Sequence, residues 1–97
     1  MSKLNICFPQ DHPALAGHFP GNPIIPGVML LEEILEHFQR QHPDASTNGF
    51  SSVKFLRPLK PEHTTYVEFK VINDNKVKFI CADSSDIFAQ GEIKFSN

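Results

Sequence analysis

Gly17-His18-Phe19-Pro20-Gly21-Asn22-Pro23-Ile24-Ile25-Pro26-Gly27-Val28-Met29-Leu30-Leu31-Glu32 is the stretch whose reading decides the fold. Its three prolines fix φ and its three glycines free it at chosen points, so the first half reads as an ordered loop that holds His18 in one place. From Val28 to about Gln41 there is neither proline nor glycine, and Leu31, Ile34, Leu35 and Phe38 recur at the spacing of one apolar helix face. His42-Pro43 ends that helix. A histidine in a rigid loop followed by a carboxylate on a helix points to acid–base chemistry.

At 100° per residue, Glu33, Glu36, His37 and Arg40 group on one side as a solvated face. Glu32 falls near the seam between that face and the apolar stripe, in line with Val28, Leu35 and Gln39. Partial burial is expected there, and a partly buried carboxyl has a raised pKa, as a proton donor near neutral pH requires.

Outward from the helix, the chain alternates with period two. Leu4, Ile6 and Phe8 mark a first strand, and Pro9 to Pro26 a loop. Asp44 to Gly49 reads as a polar loop, with Val53 and Phe55 marking a strand before Pro58. Val67, Phe69 and Val71 share a face; after the turn Asn73-Asp74-Asn75, Val77, Phe79 and Cys81 do the same. Asp83 to Asp86 forms the next turn, and Ile87, Ala89, Gly91, Ile93 and Phe95 line one side of the last strand. One helix followed by an antiparallel meander calls for an α+β architecture in which the sheet covers the apolar stripe.

Ninety-seven residues make one domain, 1–97. A chain this short buries only about 60–68% of its extended surface, so assembly would help it. Hydrophobic residues at 40%, nine phenylalanines and 21% charged residues describe a globule. A formal charge of −2 and a pI near 6.2 give no electrostatic footprint for nucleic acid or an anionic membrane. No stretch reaches the roughly 18 apolar residues of a membrane span. Cys7 and Cys81 lack metal-ligand spacing and read as reduced, buried small hydrophobes of a cytoplasmic protein. His12, His37, His42 and His63 show no metal spacing either.

The Gly17–Glu32 run resembles the active-site segment of the β-hydroxyacyl-acyl carrier protein dehydratases, approximately G-H-F-P-G-x-P-x-x-P-G-V, three mostly apolar residues, then glutamate. About ten positions agree at fixed spacing. Val53-Lys54-Phe55-Leu56-Arg57-Pro58-Leu59-Lys60-Pro61 is similar to the family's strand ending in an aromatic, a basic residue and prolines, so the resemblance covers most of the chain. It implies the hotdog fold, an antiparallel sheet wrapped around one long central helix. It also implies subunits that join their sheets, each active site taking its His and its Glu from different chains.

The implied activity is dehydration of 3-hydroxyacyl-acyl carrier protein to the trans-2-enoyl thioester, in fatty acid or related polyene- or polyketide-type biosynthesis. His18 matches the catalytic base and Glu32 the acid. Negative charge developing on the thioester oxygen suits the backbone amides of Gly27 and Val28 at the helix N-terminus, and the helix rise puts Glu32 roughly 7–8 Å farther along. No metal or organic cofactor is implied, the substrate riding on the carrier's phosphopantetheine. Arg57 and Lys60 are candidates for meeting the acidic carrier protein, with ordinary strand-end solvation as the alternative.

The chain departs from the family pattern in two places. Glu36 stands where many relatives have glutamine, either raising the pKa of Glu32 or facing solvent. The extension many relatives carry before the first strand is also lacking. Two other readings therefore stand beside the dehydratase: a non-catalytic or half-active hotdog subunit that binds acyl carrier protein beside a paralogous partner, and a hotdog thioesterase. The His-loop-Glu segment weighs against both. The implied assembly is a homodimer or higher oligomer, or a heterodimer with a paralogous subunit.

Overall fold

A computed structural model describes residues 4–9, 11 and 24–96. His18 and most of the loop around it lie outside the described residues. Strand β1 spans Leu4–Ile6, helix α1 Gly27–Gln41, and strands β2 to β5 span Ser46–Phe55, Thr65–Val71, Lys76–Ala82 and Ile87–Ser96. The five strands form one antiparallel sheet in the order β1-β3-β4-β5-β2, with α1 laid across its inner face. This is the α+β hotdog arrangement that the resemblance implies.

Helix and sheet are joined by apolar burial. Leu30, Ile34 and Phe38 are the buried residues of α1, with Met29, Leu31 and Leu35 packed partly against the core. Phe38 makes the central contact: its ring lies 5.5 Å from Phe69 on β3 and 5.5 Å from Phe95 on β5. Val67, Val77, Phe79, Cys81, Ala89 and Ile93 complete the inner face, each fully shielded from solvent. The helix ends where His42 N–H donates to the Phe38 carbonyl at 3.0 Å, and the His42 ring lies against Phe38.

The alternation holds in β4 and over Val67 and Phe69 of β3 but needs correction elsewhere. Strand β2 begins at Ser46, inside the stretch expected as loop, because its polar residues pair with the end of β5 (Ser46 with Ser96, Thr47 with Phe95) while two register shifts bend the strand. In β5 a shift opposite Cys81 and Ala82 inserts one extra residue, so Phe88 turns inward beside Ala89 and Ile87 faces out. Val71, at the end of β3, is exposed. Cys7, past the last residue of β1, is exposed as well, so only Cys81 is a buried thiol. Burial raises the Cys81 pKa, partly offset by its contact with the Thr65 hydroxyl, which itself donates to the Ile6 carbonyl.

Gly91 marks the tightest approach in the sheet. A Cβ there would strike the Ser52 backbone carbonyl and lie 2.9 Å from Phe79 Cε2. The space left open lets Phe50 of β2 reach Phe79 of β4, two strands away, at 5.6 Å between ring centroids. The β4–β5 turn is organised by Asp83, whose carboxylate accepts the backbone N–H groups of Ser85 (2.8 Å) and Asp86 (2.7 Å) and contacts His63 Nε2 at 2.8 Å. The two turn amides, then the His63 bond, hold its pKa below the ordinary carboxylate value.

Two outcomes follow from this packing. Gly91→Ala should lose about 2 kcal/mol or more in denaturant unfolding, because backbone rather than a movable side chain blocks the methyl; a loss below about 0.5 kcal/mol would contradict the close approach. Because the Asp83 pKa is depressed, its contribution is present above the usual carboxylate pKa and lost as pH falls through the folded value. Unfolding midpoints followed from neutral pH to about pH 3 should therefore fall less in Asp83→Asn than in the wild type, and parallel curves would contradict the assignment.

Candidate functional site

The segment entering α1 sets out amides that the helix does not pair. Pro26, the N-cap, has φ −59° and ψ 140° and supplies no side-chain cap. Its carbonyl accepts Met29 N–H at 3.0 Å and Leu30 N–H at 3.3 Å, so the N–H groups of Gly27 and Val28 are those the helix itself cannot pair. They sit at the positive end of the helix dipole, where developing negative charge is favoured. Ile25 N–H donates to the Leu59 carbonyl at 2.8 Å, which ties this entry to the segment after β2.

Between those two segments lies a groove of about 430 Å³ lined by Ile25, Gly27, Leu30, Phe55, Leu56, Arg57, Pro58 and Leu59. Two sequence candidates, Gly27 and Arg57, thus share one cleft; Val28, the next residue along the helix, does not line it and is 63% exposed. The lining is apolar apart from backbone groups and Arg57, which suits an acyl segment with a polar head. Arg57 Nε lies 3.2 Å from Asp86 Oδ1, so its charge is shared with the β4–β5 turn. Leu56 N–H donates to the Phe88 carbonyl at 2.9 Å, and together these contacts fix the groove's outer wall. Lys60 is exposed beyond it.

Among the groove residues outside the sequence candidates, Phe55 meets Gly27 directly. A Cβ built on Gly27 would lie 2.7 Å from Phe55 Cζ, so the tip of the ring rests on the glycine. The missing side chain of Gly27 therefore makes room for the Phe55 ring. The available signal was the alternation of Val53 and Phe55 just before Pro58, which places that ring on the inner face of β2.

Glu32 requires correction. Its side chain is exposed among the described residues, and not at a half-buried seam. The buried stripe is centred on Leu30, Ile34 and Phe38, and at 100° per residue Glu32 stands about 160° from that centre. It shares the open ridge with Val28, one turn earlier, and Glu36, one turn later. Glu36 faces solvent, 3.8 Å from Arg40, in an i,i+4 pair. The expected solvated face is in turn partly covered: Glu33 and His37 are half-buried and 3.5 Å apart. Among the described residues no cluster of His, Cys, Asp or Glu is placed to hold a metal ion, and no helix is long and apolar enough to cross a membrane.

The family model described as ApeI-like, ApeI dehydratase, matches residues 1–92. The 3-hydroxyacyl-acyl-carrier-protein dehydratase FabZ of Thermomicrobium roseum is 35% identical over 69 residues, covering 63% of this chain and 46% of that protein. FabZ of Chlamydia trachomatis is 35% identical over 100 aligned positions, covering 88% of this chain and 65% of its own length. The chain thus spans about half to two thirds of the length of these curated relatives. Among solved structures, the dehydratase heterocomplex ApeI:P from Xenorhabdus doucetiae superposes with a TM-score of 0.84 at 25% identity, covering 98% of this chain and 86% of that one. With a family model spanning nearly its whole length and the matching sheet and helix, the chain belongs to the ApeI-like family of dehydratases.

Proposed function

We propose that this chain dehydrates 3-hydroxyacyl thioesters carried on an acyl carrier protein to trans-2-enoyl thioesters, in cytoplasmic synthesis of fatty acids or a related polyene- or polyketide-type chain. The observation that carries this reading is the start of the helix that bears Glu32, where the Gly27 and Val28 amides have no partner among the described residues and Gly27 lines the apolar groove. Family membership supports the same chemistry.

The thioester oxygen accepts the Gly27 or Val28 N–H, which acidifies the C2 proton. Neutral His18 takes that proton, and the electron pair moves onto the carbonyl oxygen as an enolate held by the amides. As the enolate collapses, the C2–C3 double bond forms and the C3–O bond breaks. Glu32, protonated, gives its proton to the departing hydroxyl, which leaves as water. His18 ends protonated and Glu32 ionised, so a proton returned between them through solvent resets the site. The proton carriers are side chains, and the scheme calls for no metal or organic cofactor.

A carboxyl that donates a proton near neutral pH needs shelter, and Glu32 stands on an open ridge beside Val28. The proposed active unit is therefore an oligomer in which a second hotdog subunit, identical or paralogous, covers that ridge. Strand β2, a ten-residue strand at the edge of the sheet, is the natural place for two sheets to join. The exposure of Glu32 also favours a second reading, in which this chain is the half-active member of a hetero-oligomer. Arg57 and Lys60 are the proposed contact for the acidic carrier.

Mass-spectrometric detection of water loss from a panel of 3-hydroxyacyl-carrier-protein substrates tests the assignment. The wild type should dehydrate at least one chain length, and His18→Ala and Glu32→Gln should each lower the rate by about 100-fold or more. Activity retained in either variant would remove that residue from the chemistry. A wild type that binds carrier protein but dehydrates nothing until a paralogous subunit is added would establish the half-active reading.

A further inference from the structure

The geometry points to Phe55 as a residue that sets substrate specificity, closing the groove to acyl groups that carry a substituent on C2, the carbon next to the thioester carbonyl. The inference rests on the dehydratase reading of the groove and adds to it the substrate class. Three observations carry it. The ring tip stands on Gly27: an ideal Cβ there would lie 2.7 Å from Cζ and 3.2 Å from both Cε atoms, so there is no space for a methyl group between the ring and the backbone that offers its N–H. Phe55 is 52% exposed and lines the groove with Ile25 and Leu30, so a ligand would meet the ring instead of finding it sealed within the core.

The third observation is that the ring's backbone is held. Phe55 pairs with Ala89 of β5, the next amide, Leu56 N–H, bonds to the Phe88 carbonyl at 2.9 Å, and Leu59 accepts Ile25 N–H at 2.8 Å. Strand and helix entry are therefore linked on both sides of the groove, so the backbone that carries the ring is held beside Gly27. A thioester oxygen that approaches the Gly27 amide brings its C2 alongside Phe55. An unbranched CH₂ passes the ring edge, whereas a C2 methyl would have to occupy the position already taken.

The test pairs two readouts on the full chain. Calorimetry measures binding of non-reactive pantetheine amides of 3-hydroxyacyl groups, one unbranched and one 2-methyl as both C2 epimers. Mass spectrometry measures dehydration of the matching thioesters. The wild type should prefer the unbranched amide by about 10-fold or more, the usual range for one excluded methyl group. Phe55→Ala should bring that ratio close to one, the ratio being the readout because loss of the ring's apolar contact lowers affinity for both amides, and Phe55→Leu, which preserves apolar bulk for folding, should give an intermediate ratio. Ratios unchanged in both variants, a wild type that takes both amides equally, or one that binds neither would overturn the assignment. Where Phe55→Ala fails to fold, the Phe55→Leu ratio decides. A wild type that binds the unbranched amide yet dehydrates nothing would sink the dehydratase reading, while the amide ratio would still decide the role of Phe55.

Discussion

Burial of the α1 stripe against the inner face of the sheet is the constraint on which the rest of the molecule depends. Leu30, Ile34 and Phe38 present one narrow line of apolar surface, and Phe38 meets Phe69 and Phe95 from strands β3 and β5, which are not neighbours in the sheet. Removing a buried phenylalanine of this kind typically costs about 3–5 kcal/mol, a large fraction of the stability of a small domain. Fixing the stripe fixes the helix's rotation and, with it, everything the helix carries. It sets Gly27 in the groove beside Phe55, and it turns Glu32 away from the sheet.

On the proposed reading, that rotation is the reason a second subunit is needed. The groove that includes Gly27 lies on one side of the helix start, while Glu32 rides a ridge shared with the exposed Val28. The sheet leaves β2 at an edge, with Phe55 and Leu56 exposed where that strand ends. Exposed apolar residues at the end of an edge strand describe a surface that gains from a second subunit.

Much of the fold was legible because the apolar periods were clean: the helix limits differ by one residue from those expected, and the inward residues of β4 are as the alternation places them. The departures have local physical causes. Leu31 and Leu35 fit the helical spacing as well as Leu30 does, so counting apolar positions put the stripe's centre to one side and Glu32 at its seam. Ser46 to Asn48 carry no apolar period because this end of β2 is held by backbone pairing with β5 and buries no side chain. The extra residue that turns Phe88 inward is a register shift, invisible to any period-two count. The contact of Phe55 with Gly27 joins residues from different elements, and no local pattern encodes it.

The central claim is that the amides at the start of α1 receive the thioester carbonyl. A crystal structure of the protein with a bound 3-hydroxyacyl-pantetheine amide tests it most directly. The account predicts the carbonyl oxygen about 2.7–3.1 Å from the Gly27 or Val28 nitrogen, with the acyl chain entering the groove between Leu30 and Phe55. A carbonyl held elsewhere, with those two amides facing only solvent, would contradict it.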